Sequence, residues 1–126
     1  MIRVVVTSQH AGLREALAEA LAGQPDLVVV GVWPGLPGDA AASDIGGEAA
    51  NVLVYGASGF AYSADHFARC RAACRRARII GLYTTPSVYQ DLLAGGVSAA
   101  VDPADGLAVL LAAIRSQHRP RFEDHT

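Results

Sequence analysis

The sequence predicts an α/β domain in which a parallel sheet carries helices on both faces. Apolar stretches recur five times, at residues 2–7, 27–33, 51–55, 78–83 and 97–101. Unbroken apolar runs suit strands that are covered on both sides. The segments between them have helical spacing and short connections, the alternation that builds parallel sheets.

Each element has a local reason. IRVVVT (2–7) is the first strand. Leu13, Ala16, Leu17, Ala20 and Leu21 follow at helical spacing, with Arg14, Glu15 and Glu19 outward, and Gly23 and Pro25 stop the helix. LVVVGVW (27–33) is the second strand. A helix is due in PGLPGDAAASDIGGEA, but Gly and Pro crowd it, so the second helix is degraded to one short helix or a loop with one turn. NVLVY (51–55) is the third strand, followed by the flexible Gly56-Ala57-Ser58-Gly59.

Ser63 caps a third helix reaching about Ala77, with Phe67, Cys70 and Cys74 on its buried face. RIIGLY (78–83) is the fourth strand. Thr85-Pro86 places an N-cap before a proline at the first helical position, and that helix runs to Gly95-Gly96. After a short fifth strand at 97–101, Asp102-Pro103 opens a fifth helix in the same way, with Asp105 at its third position and its end near Gln117. Residues 1–117 form one domain and 118–126 a polar tail.

Composition narrows the function. A chain of 126 residues that is 52% hydrophobic and 17% charged can bury a substantial core. The net charge of −2 gives no global basic field for nucleic acid. No apolar run approaches the roughly 18 residues of a membrane span, so a cytoplasmic protein without membrane contact is expected. The two cysteines make no disulfide framework in a chain of this size. All ten basic residues are arginine, which closes any mechanism that needs a lysine.

This order of elements, together with MIRVVVTSQHAGLREALAEALAGQPDLVVVGV at the start and AGGVSAAVDPADGLAVLLAAIR towards the end, resembles the receiver domain of bacterial two-component response regulators. The likeness is closest to receivers that precede helix-turn-helix output domains. It implies a flavodoxin-like fold with a five-stranded parallel sheet in the order 2-1-3-4-5. It also implies a site where an aspartate at the end of the third strand is phosphorylated, helped by an acidic pair that holds Mg²⁺, a Thr or Ser and a Lys. Carried over one position at a time, the acidic pair falls on Ser8 and Gln9 and the phosphoacceptor on Gly56. The hydroxyl falls near Tyr83 or Thr84, and the lysine on Pro103, or on Asp102 if the register slips by one.

None of these positions supplies a carboxylate ligand for Mg²⁺ except Asp102, which stands where a cation is due. Shifting the alignment does not help, because no Asp or Glu lies between Met1 and Leu13 or between Val52 and Ala64. The expectation is a pseudo-receiver: a non-catalytic, phosphorylation-independent regulatory module acting through protein contacts, with no cofactor. The alternative is a sensor of a small ligand in a neutral, polar cleft formed by Ser8, Gln9, Gly56, Ser58 and Thr84 at the carboxyl ends of the strands. No nucleophile–base pair stands at those ends, which argues against an enzyme.

Other features have plain readings. Asp102 reads as a helix cap. His66, Cys70 and Cys74, spaced by four, line one flank of a helix and cannot wrap a metal tetrahedrally. Arg69, Arg71, Arg75, Arg76 and Arg78 read as a solvated face near a helix C-terminus, with an acidic partner or nucleic acid as the alternative. No aromatic residues interleave them, so direct nucleic-acid binding is not expected.

In the fifth helix Leu107, Leu110, Leu111 and Ile114 form the stripe for the sheet, yet the opposite face carries only Ala108, Val109, Ala112 and Ala113. A helix apolar all round is covered on both sides. A homodimer through that face is expected, as is common in the family the chain resembles; an output domain or protein partner is expected but unspecified.

Overall fold

The computed structural model describes residues 1–8, 10–33, 49–57 and 64–118. The degraded second helix expected after residue 33, Gln9, Ser58, Ser63 and the tail beyond 118 lie outside them. In chain order the elements are β1 (Ile2–Ser8), α1 (Ala11–Ala22), β2 (Leu27–Trp33), β3 (Val52–Gly56), α2 (Ala64–Ala73), β4 (Arg78–Leu82), α3 (Pro86–Ala94), β5 (Ala99–Val101) and α4 (Leu107–His118). The helix read from sequence as the fifth is thus α4.

The five strands form one sheet in the order β2-β1-β3-β4-β5, every neighbouring pair parallel. This is the flavodoxin-like arrangement expected from the sequence. The two-residue period of the strands divides the core. Val4, Val6, Val52, Val54, Ile80 and Leu82 face α1 and α4, where they pack with Leu17, Leu21, Leu110, Leu111 and Ile114. Val5, Leu53, Tyr55 and Ile79 face the other way and pack with Phe67, Cys70, Cys74 and Leu92. Gly81 sits where α3 comes closest: a Cβ there would lie 2.8 Å from Leu92 Cδ1.

Thr85 caps α3 as expected, its hydroxyl accepting the Val88 N–H. The strand limits shift by a residue or two, β5 starting at Ala99 instead of 97, and two helix boundaries differ more. The helix expected to reach Ala77 ends at Ala73. Arg78 already belongs to the ladder, paired with Val52 and donating its N–H to Asn51 O; a turn closed by Ala77 N–H to Cys74 O makes the transition.

The last helix does not start at Pro103. Asp102 caps a 3-10 turn over Pro103–Asp105, accepting the Ala104 N–H at 2.9 Å. Gly106 then adopts φ +97, a conformation that L side chains rarely take, and re-aims the chain before α4 begins at Leu107. Asp105 therefore closes the turn instead of standing in the first turn of α4.

This offset changes the faces of α4. Leu107, expected on the sheet, is 41% exposed. Ala113, expected on the outer face, is half-buried against the core. Ala108, Val109 and Ala112 remain exposed.

Candidate functional site: the carboxyl ends of the strands

β1, β3 and β4 end in register, with Ser8 opposite Gly56 and Gly56 opposite Leu82. Ser8 is fully buried. Its Oγ accepts the His10 N–H at 3.1 Å, and its carbonyl accepts from Arg14 Nη1 at 3.0 Å. His10 in turn caps α1, its Nδ1 accepting the Leu13 N–H at 3.0 Å. The Ser8–His10 junction thus uses its polar atoms to turn the chain from strand to helix. Histidine as the N-cap was not legible in the sequence, because Ser, Thr, Asp and Asn are the preferred residues there.

Gly56 carries no acceptor side chain, and one placed there would fit tightly. A Cβ at this position would lie 3.1 Å from Ser8 Cβ, 3.2 Å from Ser8 Oγ and 3.2 Å from Leu13 Cδ2. Those separations are tighter than ordinary van der Waals contact, and Leu13 supplies hydrocarbon where a phosphoryl group would need charge. Ala57 is buried beside Gly56 and donates its N–H to Leu82 O.

Thr84 lies exposed beyond the end of β4, whereas Tyr83 donates its N–H to Val101 O and stacks on Tyr89 with ring centroids 4.9 Å apart. Ser8 and Gly56 are adjacent, and Pro103 lines a groove together with Leu13 and Leu82. Gln9 and Ser58 lie outside the described residues.

The concavity at this end is apolar. A groove of about 190 Å³ runs between α1 and α4, lined by Leu13, Ala16, Leu17, Leu82, Val101, Pro103, Gly106, Leu107 and Leu110. Pro103, the position to which the resemblance assigns a lysine, forms part of its wall. Periodicity places these leucines inward but cannot foresee the gap, whose rim includes Gly106 at the start of α4.

On the opposite face, Tyr55 Oη lies 2.6 Å from His66 Nδ1, and His66 Nε2 lies 3.8 Å from Cys70 Sγ. All three are buried. Burial pushes the Cys70 and Cys74 thiols up to about 12, so both stay protonated and behave as small hydrophobes. Among the described residues no group of three or more His, Cys, Asp or Glu is arranged to hold a metal ion. No helix among them is long and apolar enough to cross a membrane.

Of the arginines, Arg71 donates to Gly95 O at 2.9 Å and so finishes α3, and Arg69 pairs with Asp65 at 3.8 Å.

With this geometry the chain has the receiver fold. It superposes on a DNA-binding response regulator of the LuxR family from Staphylococcus aureus with a TM-score of 0.73 and 15% identity, over 94% of this chain and 100% of that one. The response regulator domain of Thermotoga maritima CheB gives 0.70 and 20% identity, over 95% and 99%. A pilus assembly-related protein from Burkholderia pseudomallei gives 0.70 and 17% identity, over 96% and 94%. No protein-family model matches the sequence, and no curated protein matches it significantly.

Proposed function

We propose that the chain is a signal-transduction module that uses the receiver fold without aspartyl phosphorylation and acts through protein contacts. The observation that carries this reading is the Ser8–Gly56–Leu13 contact. Neither Ser8 nor Gly56 has a carboxylate, and a side chain on Gly56 would meet Ser8 and Leu13 at 3.1–3.2 Å. An Mg²⁺ ion usually needs one or two carboxylates in such a site, and Ser8 and Gly56 offer none. The amide NMR spectrum tests this directly. Addition of Mg²⁺ and beryllofluoride is expected to leave it unchanged, whereas shifts concentrated at Ser8, Gly56 and Thr84 would overturn the proposal.

The contacts are assigned to α4, with a second copy of the chain as the partner. Leu107, Ala108, Val109 and Ala112 present an exposed apolar surface with no charged side chain among them. Small residues in such a stripe let a second helix approach closely, and burying the surface gains about 25 cal/mol per Å² before the cost of association.

A second reading, sensing of a small molecule, is favoured by the groove between α1 and α4. Its hydrocarbon lining suits an apolar ligand, a different site from the polar cleft expected from Ser8, Gln9, Gly56, Ser58 and Thr84. A thermal-shift screen with small apolar compounds separates the two readings, because a ligand bound tightly to the folded state raises the melting temperature.

A further inference from the structure

We infer that the amino-terminal edge of the sheet is an arginine surface that binds an acidic segment of a partner protein. The inference rests on the module acting through protein contacts, but it concerns the end of the fold opposite the phosphorylation position.

Asn51 organises this edge. Its N–H donates to Arg3 O at 2.7 Å, its Oδ1 accepts the Arg3 N–H at 2.8 Å, and its own carbonyl accepts the Arg78 N–H at 3.0 Å. The backbones of Arg3 and Arg78 are thereby fixed on either side of β3, about 10 Å apart at the usual strand spacing. Arg75 and Arg76 stand in the turn that leads into Arg78, and both are exposed. Arg75, Arg76 and Arg78 therefore cluster at this edge, while Arg3, two strands away, lies on the opposite face of the sheet from Arg78.

Structural needs account for other arginines, Arg3 among them, whose Nε donates to Ala49 O at 2.8 Å, but not for Arg75, Arg76 and Arg78. Arg71 satisfies the end of α3, and Arg69 has Asp65. Asp26, the acid at the amino end of β2, is engaged by Arg115 through two contacts of 2.7 and 2.9 Å. The guanidinium groups of Arg75, Arg76 and Arg78 form no ion pair among the described residues. Like charges gathered within four residues of chain repel, a cost that neutral side chains would avoid. Carboxylates would relieve it, and the planar guanidinium fork matches a carboxylate in two-point contact.

An acidic peptide fits better than a nucleic acid. The chain as a whole carries a net charge of −2, so a long polyanion extending past the arginines meets net negative charge. A short acidic segment ends where they end. The aromatic pair Tyr83–Tyr89 follows β4, at the carboxyl end of the sheet, and is not available here for stacking bases.

The test is fluorescence anisotropy of the full chain with a labelled oligoglutamate peptide, competed by unlabelled oligothymidylate. Binding is expected at low salt and should weaken as salt rises. Replacing both Arg75→Gln and Arg76→Gln should weaken it about tenfold, the sum of two exposed charge contacts. Arg69→Gln should leave it unchanged. Both variants alter exposed side chains, and circular dichroism checks their fold. Absence of salt-sensitive binding, an unaffected double variant, or tighter binding of oligothymidylate would overturn the inference. No Mg²⁺ or phosphoryl donor is present, so failure here leaves the reading of the phosphorylation position untouched.

Discussion

Tyr55 and His66 are joined inside the core, the phenol oxygen 2.6 Å from the imidazole Nδ1, with the two rings tilted and their centroids 5.3 Å apart. This contact ties the end of β3 to the first turn of α2, from the residue that precedes the position assigned to the phosphoacceptor. Buried polar groups are costly to leave unpaired. Tyr55→Phe is expected to destabilise the protein by about 1–2 kcal/mol in denaturant unfolding, with little change in the ring packing against Phe67.

Gly81 and Leu92 set the spacing between the sheet and α3. Gly81→Ala forces a methyl against Leu92 Cδ1 and is expected to cost about 1–3 kcal/mol through overpacking. Leu92→Ala alone should cost about 2–5 kcal/mol by opening a cavity. Together the two changes should cost less than their sum, because the added methyl enters the space that the leucine leaves. Additive losses would show that the two residues do not share the contact.

The Asp26–Arg115 pair links the loop before β2 to α4. The hydrogen bond from Arg115 holds the Asp26 carboxyl below its ordinary value of 3.8, against an opposing effect of desolvation. A carboxylate depressed in the folded state adds stability above its unfolded pKa and loses that contribution as pH falls through the folded one. Arg115→Ala should therefore be less stable than the native chain at neutral pH, and the difference should shrink in strong acid. Both side chains are 44% exposed, so the effect is expected to be small and to fall with added salt.

The apolar face of α4 gives a prediction about assembly. Ala112→Glu should leave the circular dichroism spectrum intact and yield a monomer, whereas the native chain should be a dimer by light scattering. A native monomer at tens of micromolar, or a variant that remains dimeric, would refute the assignment. Ala113→Glu is the wrong variant for this purpose, since Ala113 touches the core.

Much of the architecture was legible because it is written in local pattern. Continuous apolar runs marked the strands, Thr85-Pro86 marked the start of α3, and the placing of Cys70 and Cys74 beside Phe67 followed from helical spacing. What escaped depends on partners distant in sequence or on a single dihedral angle. Arg115 finds Asp26 across 89 residues, a pairing no periodicity encodes. Gly106 reads from sequence as one more helix residue after a Pro cap; its positive φ stands between the 3-10 turn and α4. At the strand ends, residue types alone showed that the carboxylates were missing. They did not show that Leu13 packs close to Gly56.

Intact-mass spectrometry of the full chain after incubation with acetyl phosphate and Mg²⁺ tests the loss of phosphoryl chemistry most directly. Gly56 has no nucleophile and Ser8 no carboxylate, so the expected result is an unchanged mass. A stable increase of one phosphoryl group, removed by hydroxylamine as an acyl phosphate would be, would contradict it.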